Sequence, residues 1–244
     1  MATPDFLLPD WEAPACVRAV MTTRRGGVSR GPYASLNLAQ HVGDDPAAVA
    51  ENRRRLRAAL ELPAEPAWLE QVHGARVATL PSRSEEPADG AVTLDRGCVC
   101  AVLVADCIPI FLASRAGDRV GIAHAGWRGL AGGVVEATLA ALDCGPELLV
   151  AWLGPAVGPA AFEVGGEVRE AFLAGDPGAA AAFRPGQRDR WLADLPALAQ
   201  RRLAAAGVTA VTGAGLCTHS DPERFYSYRR DGATGRMAAL AWLA

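Results

Sequence analysis

Residues 102–129 read VLVADCIPIFLASRAGDRVGIAHAGWRG, and the fold is decided there. One apolar run ends in Ala105-Asp106-Cys107. A second, 108–114, turns through Arg115-Ala116-Gly117-Asp118-Arg119 into a third, 120–124. Short apolar runs bounded by turn residues read as buried strands, and the short Gly-bearing turn makes the last two a hairpin. Cys107 and His124 each stand where a buried strand gives way to irregular chain. Strand ends of this kind can present a thiolate and an imidazole to one pocket. Upstream, a predicted strand over 68–73 ends in Gln71-Val72-His73-Gly74, which offers a second imidazole.

Outward from this centre, further strands are predicted over 17–23, 91–93, 98–104, 148–153, 208–211 and 237–243. Helices are predicted over 47–60, about 130–142, 167–173 and about 196–206. Asp45 caps the first of these, with Pro46 at its first position. Its apolar side carries Val49, Leu56 and Leu60. Arg53, Arg54, Arg55 and Arg57 read as a solvated face rather than a binding patch. Gly207 closes the last helix. Cys98 and Cys100 share a strand face and read as small buried thiols rather than metal ligands. Residues 81–90 form a polar loop, and 174–190 a surface loop with a helical turn. Strands and helices intermix along the chain with no repeat, linker or composition break. The expectation is one domain over 1–244, of mixed α/β type with hairpin-rich sheets covered by helices.

The chain of 244 residues is long enough for a sizeable core, and half of it is hydrophobic. A net charge of −3 calls for neither nucleic acid nor an anionic membrane as partner. No apolar run reaches the roughly 20 residues that span a bilayer. The first residues carry no secretory-type leader. Six irregularly spaced Cys then read as free thiols in a reducing, cytoplasmic setting.

Three sites of chemistry are open. His73, Cys107 and His124 are an open ligand set for Zn2+, three protein ligands leaving a fourth position free. Such a centre lowers the pKa of a bound water towards about 7. Asp106 can orient a His ring, act as acid or base, or simply cap a strand end. Ahead of the helix, Gly126-Trp127-Arg128-Gly129 presents backbone N–H groups and a guanidinium to an anion, with Trp127 available to stack on a flat ring. It reads equally as a helix-entry turn with a core Trp. Arg24-Arg25-Gly26-Gly27 is either a turn or an anion-binding loop.

Longer motifs join these pieces. QVHG at 71–74, ADC at 105–107, HAGWRG at 124–129, WLGPAVGP-x-x-FEVG at 152–165 and FYSYRRDGATGRMA at 225–238 resemble the laccase-domain family. So does TTR-x-GGVS-x-GPY-x-SLNL-x-x-HVGDDP at 22–46. That family is also called YfiH-type, multicopper polyphenol oxidoreductase, or purine nucleoside phosphorylase. The resemblance runs from about residue 20 to the end. It implies a four-layer α/β/β/α sandwich like that of toxin-type cysteine hydrolases, and a metal site of His73, Cys107 and His124.

It also implies phosphorolysis of purine nucleosides, methylthioadenosine included, and deamination of adenosine. The partners are then purine nucleosides and phosphate, with a monomer or small homo-oligomer expected. In that reading Cys107, His124, His73 and Asp106 are catalytic candidates, and Arg24, Asn37 and Arg128 bind substrate. Deamination is attack at C6 of adenine, although the HxE…PCxxC signature of other zinc deaminases is absent. A laccase-type copper cluster is disfavoured by a total of four His, although Cu2+ binds such ligands tightly and suits the single site. The alternative from another class is an amidase in which Cys107, activated by His124, is the nucleophile, as described for relatives that edit peptidoglycan precursors.

Overall fold

The computed structural model describes residues 3–82, 84 and 86–244. Its central hairpin forms as the sequence predicts. Ile108–Ser114 and Val120–Ala125 pair antiparallel, Ile108 opposite Ala125 through Ala113 opposite Val120. The turn is fixed by Ser114, whose hydroxyl donates to Asp118 Oδ1 at 2.6 Å, and by Gly117 at φ +72°.

In chain order the elements are β1 (Phe6–Leu7), β2 (Val17–Thr22), α1 (Pro46–Leu60), β3 (Ala67–Trp68), β4 (Val77–Leu80), β5 (Gly90–Thr93), β6 (Val99–Val104) and the hairpin strands β7 and β8. Next come α2 (Trp127–Ala131), α3 (Val134–Leu142), β9 (Leu149–Leu153), β10 (Glu163–Val164), α4 (Gly166–Leu173), β11 (Phe183–Pro185) and β12 (Trp191–Ala193). The chain finishes with α5 (Leu195–Ala205), β13 (Ala210–Gly213), α6 (Tyr228–Asp231) and β14 (Met237–Leu243). One sheet runs β1-β2-β14-β6-β3, and a second β13-β9-β7-β8-β5-β4. A small sheet, β10-β12-β11, lies in the outer helical region.

The layers follow from side-chain alternation along the strands. On β6, Cys100, Val102 and Val104 point to the second sheet and meet Phe111, Ile122 and Trp152. The alternate residues Val99, Ala101 and Leu103 face outward and are covered by Leu56 of α1 with Leu36 and Leu38. On β7, Ile108, Ile110 and Leu112 face the other way, under Val134 and Leu142 of α3 and Leu198 and Leu203 of α5. Two sheets face to face, each with helices on its outer side, make the α/β/β/α sandwich. Both faces of β6, β7, β8 and β9 are buried. That is why those segments read as continuous apolar runs rather than alternating ones.

Several expectations need correction. The segment 68–73 leaves the strand after Trp68. Gln71 continues the pairing with its side chain instead, its amide donating to Leu103 O at 2.9 Å and accepting Leu103 N–H at 2.7 Å. The helix expected over 130–142 begins earlier, at Trp127, and breaks at Gly132 and Gly133, where Gly133 has φ +96°. The loop at 174–190 contains a 3-10 turn and β11, and β12 follows it. β4 has no counterpart among the expected strands, and β13 starts two residues later than predicted.

The Gly-rich loop after β2 is also more structural than its composition implies. Gly27 N–H bonds Ser35 Oγ at 3.2 Å, Val28 N–H bonds Asn52 Oδ1 at 2.8 Å, and Ser29 N–H bonds Ser35 O at 2.9 Å. Asn52 is fully buried in α1, and its amide also donates to Ser29 Oγ and Asn37 O, both at 2.9 Å. These N–H groups already have partners within the chain, which removes the nest that an anion would need.

Candidate metal centre

Three elements converge on the site. β6 belongs to one sheet and β7 to the other, so Ala105-Asp106-Cys107 is the crossing between them. Asp106 makes that tight passage at φ +92°. His124 lies near the end of β8, opposite Pro109. His73 follows the docked Gln71 and has φ +59°. The ligand atoms of His73, Cys107 and His124 all lie within 4.8 Å of one another. Cys107 Sγ is 3.8 Å from His73 Nε2, and the two imidazoles pack edge to face at 4.9 Å between centroids.

Glycine permits this closeness. A Cβ on Gly126 would stand 2.9 Å from Cys107 Sγ and 2.9 Å from His73 Cδ2. A Cβ on Gly129 would stand 2.8 Å from Gly74 O, so α2 approaches the His73 loop only because both positions lack side chains.

Sequence reasoning missed the residue that organises the centre. Asp89 is fully buried, and its Oδ1 lies 2.8 Å from His124 Nδ1. The same carboxylate accepts the backbone N–H groups of Val72 at 3.1 Å, His73 at 2.9 Å and Gly74 at 2.6 Å. One carboxylate therefore sets the ring of one imidazole and the backbone of the other. Burial alone would raise its pKa. The bonds from His124 and from Gly74 outweigh that and hold the carboxyl below its ordinary value. The only sequence signal was an Asp closing the polar loop at 81–90, which reads as a turn.

The electrostatics are coupled. Burial opposes ionisation of the Cys107 thiol, but the charge of His124 and hydrogen bonds from both imidazoles outweigh it, and its pKa falls to about 6. Burial disfavours the His124 imidazolium, yet the Cys107 charge and the Asp89 carboxylate raise its pKa to about 9. Without a metal the pair is a thiolate and an imidazolium around neutral pH. Among the described residues this is one group of His, Cys and acidic side chains close enough to share a cation. Two imidazole nitrogens and a thiolate, with the second nitrogen of His124 held by a buried carboxylate, suit a borderline-soft metal such as zinc.

Two cavities open on the cluster. One, of about 210 Å³, is walled by Trp127, Val157, Phe162 and Tyr228, with Asp106 and Arg128 at its margin. The other, of about 450 Å³, has His41, Gln71, Arg128 and Arg236 in its wall. Arg128 borders both, its guanidinium 4.5 Å from the Trp127 ring centroid.

The remaining candidates lie elsewhere or are otherwise engaged. Asp106 orients neither imidazole. Its oxygens accept Thr218 Oγ–H and Arg229 N–H, each at 2.6 Å, and so tie the sheet crossing to the Thr218 loop and to the first turn of α6. Arg24 and Asn37 line neither cavity. Arg24 donates to Ala34 O at 2.8 Å and Pro222 O at 2.9 Å and lies over Tyr226. Asn37 is fully buried, bonded to Ala39, Asp44 and Arg236 N–H.

The fold and this cluster define an α/β/β/α sandwich with two imidazoles and a thiolate, a set that could hold a metal, gathered at the seam of its sheets. The chain belongs to the family described as multi-copper polyphenol oxidoreductase laccase, which it matches over residues 18–244. It is 54% identical over 239 residues to a protein of Pseudomonas aeruginosa named purine nucleoside phosphorylase, with 98% of each chain covered. It is 52% identical over 240 residues to purine nucleoside phosphorylase YfiH of Escherichia coli, again with 98% of each covered. Among solved structures it is similar to a DUF152 protein of Neisseria meningitidis (TM-score 0.93, 48% identity, 98% of each chain). It is also similar to YlmD from Geobacillus stearothermophilus (TM-score 0.86, 35% identity, 94% of this chain and 92% of that one). No helix among the described residues is long and apolar enough to cross a membrane.

Proposed function

We propose that this protein is a zinc-dependent purine nucleoside phosphorylase that also deaminates adenosine and cleaves methylthioadenosine. It acts as one domain, in the cytoplasm, as a monomer or small homo-oligomer. The observation that carries the reading is the convergence of His73, Cys107 and His124, two of which, His73 and Cys107, line an aromatic-walled cavity. The relatives named purine nucleoside phosphorylase, more than half identical to this chain, support the substrate class.

His73, Cys107 and His124 would hold the metal, which when bound supplies Lewis-acid polarisation and water activation. The chain's own residues do the rest. Trp127, Phe162 and Tyr228 offer flat faces to a purine and keep water from it. Arg128, stacked on Trp127, presents a cation between base and sugar. Asp89 keeps the imidazoles in register and holds the His124 Nδ1 proton, leaving Nε2 as the donor atom.

The test is metal analysis of purified protein, followed by incubation with adenosine and phosphate. Ribose 1-phosphate and adenine are expected, with inosine from the deaminating activity. His73→Ala is expected to lower all three by at least about a hundredfold, the scale on which a lost catalytic group acts. Absence of product from the metal-loaded wild type, or equal product from the variant, rejects the reading.

One observation favours a second reading. Cys107 Sγ is 3.8 Å from His73 Nε2 and carries a thiol of pKa about 6, the makings of a nucleophile in an amide hydrolase. A thiolate that binds metal is not free to attack carbon. Full alkylation of Cys107 by iodoacetamide in metal-loaded protein would therefore favour this alternative.

A further inference from the structure

The two cavities on the metal cluster differ in chemistry, and the difference is informative. The aromatic one suits a nucleobase. The larger one carries His41, Gln71, Arg128 and Arg236 beside His73, Cys107 and His124. Among the described residues no carboxylate forms a salt bridge with Arg128 or Arg236, whereas ten other arginines are so paired. Arg236 donates through Nη1 to Thr234 O and Gly235 O, each about 3 Å away, which anchors one side of the guanidinium. Its backbone N–H is anchored on Asn37 Oδ1 at 2.9 Å. Tyr228, 5.9 Å from the guanidinium, bounds it on another side. A positioned guanidinium with no salt bridge of its own, beside a reacting centre, is suited to hold an oxyanion, although the Cys107 and Asp106 charges also act on it.

We infer that inorganic phosphate binds in the 450 Å³ cavity, held by Arg236 and Arg128 with the His41 imidazole as a further donor. This rests on the phosphorylase reading and assigns the second substrate of that site to residues distinct from Arg24 and Asn37. His41 suits the role in its neutral form. Burial and the positive charges of Arg236 and Arg53 lower its pKa, so that one ring N–H remains to donate.

The arrangement puts base and phosphate on opposite flanks of Arg128, with the ribose between them. In phosphorolysis a phosphate oxygen forms the bond to C1′. The C1′–N9 bond breaks and its electron pair leaves with the purine. The proton of hydrogen phosphate ends on the purine, so nucleoside and hydrogen phosphate give ribose 1-phosphate and free base. Arg236 holds the attacking oxyanion, and Arg128 is shared along the path.

The test titrates inorganic phosphate into metal-loaded protein by calorimetry, for wild type, Arg236→Gln, Arg236→Lys and His41→Ala. Thermal melting and metal content establish that each variant is folded and loaded. Arg236→Gln is expected to weaken phosphate binding by about tenfold or more, the value of one lost charge-assisted pair. Arg236→Lys should recover part of that, and His41→Ala should weaken binding less. With inosine as substrate, the KM for phosphate should rise in parallel while the KM for inosine changes little.

Wild-type phosphate affinity in a folded, loaded Arg236→Gln protein overturns the inference, as does a wild type that binds no phosphate at millimolar concentration. The two proposals separate cleanly. Phosphate binding that depends on Arg236 without ribose 1-phosphate formation keeps the subsite and rejects the phosphorylase. Ribose 1-phosphate formation with unaltered phosphate KM in Arg236→Gln does the reverse.

Discussion

Asp89 and His124 are joined by a buried 2.8 Å contact between Oδ1 and Nδ1, and the same carboxylate closes on the backbone of the His73 loop. One side chain that lines neither cavity thus sets the ring of His124 and the backbone that carries His73.

Replacing that side chain should be felt at the metal. Asp89→Asn keeps an acceptor oxygen but loses the charge, and it exchanges two acceptors for one. Metal affinity, measured by competition with a chromogenic chelator, is expected to fall about 10–100-fold, the usual cost of removing such a partner. An unchanged affinity would refute the orienting role.

The Cys107–His124 pair predicts a pH dependence in metal-stripped protein. A thiol pKa lowered from 9.0 to about 6 means that the reactive thiolate is present above that pH and lost as pH falls through it. The alkylation rate of Cys107, followed by mass spectrometry, should reach half its plateau near pH 6. An inflection near pH 9 would show an ordinary thiol. Loading with zinc should suppress the reaction across the range.

Gly126→Ala tests the closeness of the cluster. The added carbon would need to displace Cys107 Sγ or His73 Cδ2, both 2.9 Å away. The expected result is a protein that melts near the wild-type apo temperature but binds metal at least about tenfold more weakly. Wild-type affinity would mean that the loop shifts without consequence.

Asn52→Leu addresses the Gly-rich loop. The substitution leaves Val28 N–H and the Asn37 carbonyl without their buried partner, while Ser35 O keeps the Ser29 N–H. A loss of about 2–4 kcal/mol is expected from urea denaturation, since each orphaned buried group costs roughly 1–3 kcal/mol. A loss below about 0.5 kcal/mol, typical of surface substitutions, would contradict the bracing role.

The elements that were legible in the sequence share a physical reason. The β7–β8 hairpin, β14 and α1 are set by local signals: long apolar runs, a Gly turn, and an Asp45-Pro46 cap whose carboxylate does accept Ala47 N–H. The grouping of His73, Cys107 and His124 was legible from local chemistry, a thiol and two imidazoles each placed where a strand ends, and the longer motifs supported it, although nothing in their spacing brings them together. Asp89 was illegible because a buried acid at the end of a polar loop has the composition of a turn. β4, β11 and β12 were hidden by brevity. Arg24 and Asn37 stand apart from both cavities. An arginine beside two glycines looks like an anion site, yet here their polar groups are spent on the loop's own hydrogen bonds and on C-terminal carbonyls.

The crossing at Asp106-Cys107 has a mechanical consequence. His124 rides on the six-stranded sheet, His73 hangs from the edge of the five-stranded one, and Cys107 sits on the strap between them. A cation held by all three would act as a rivet through both sheets, and its grip would then report how tightly the sandwich is shut.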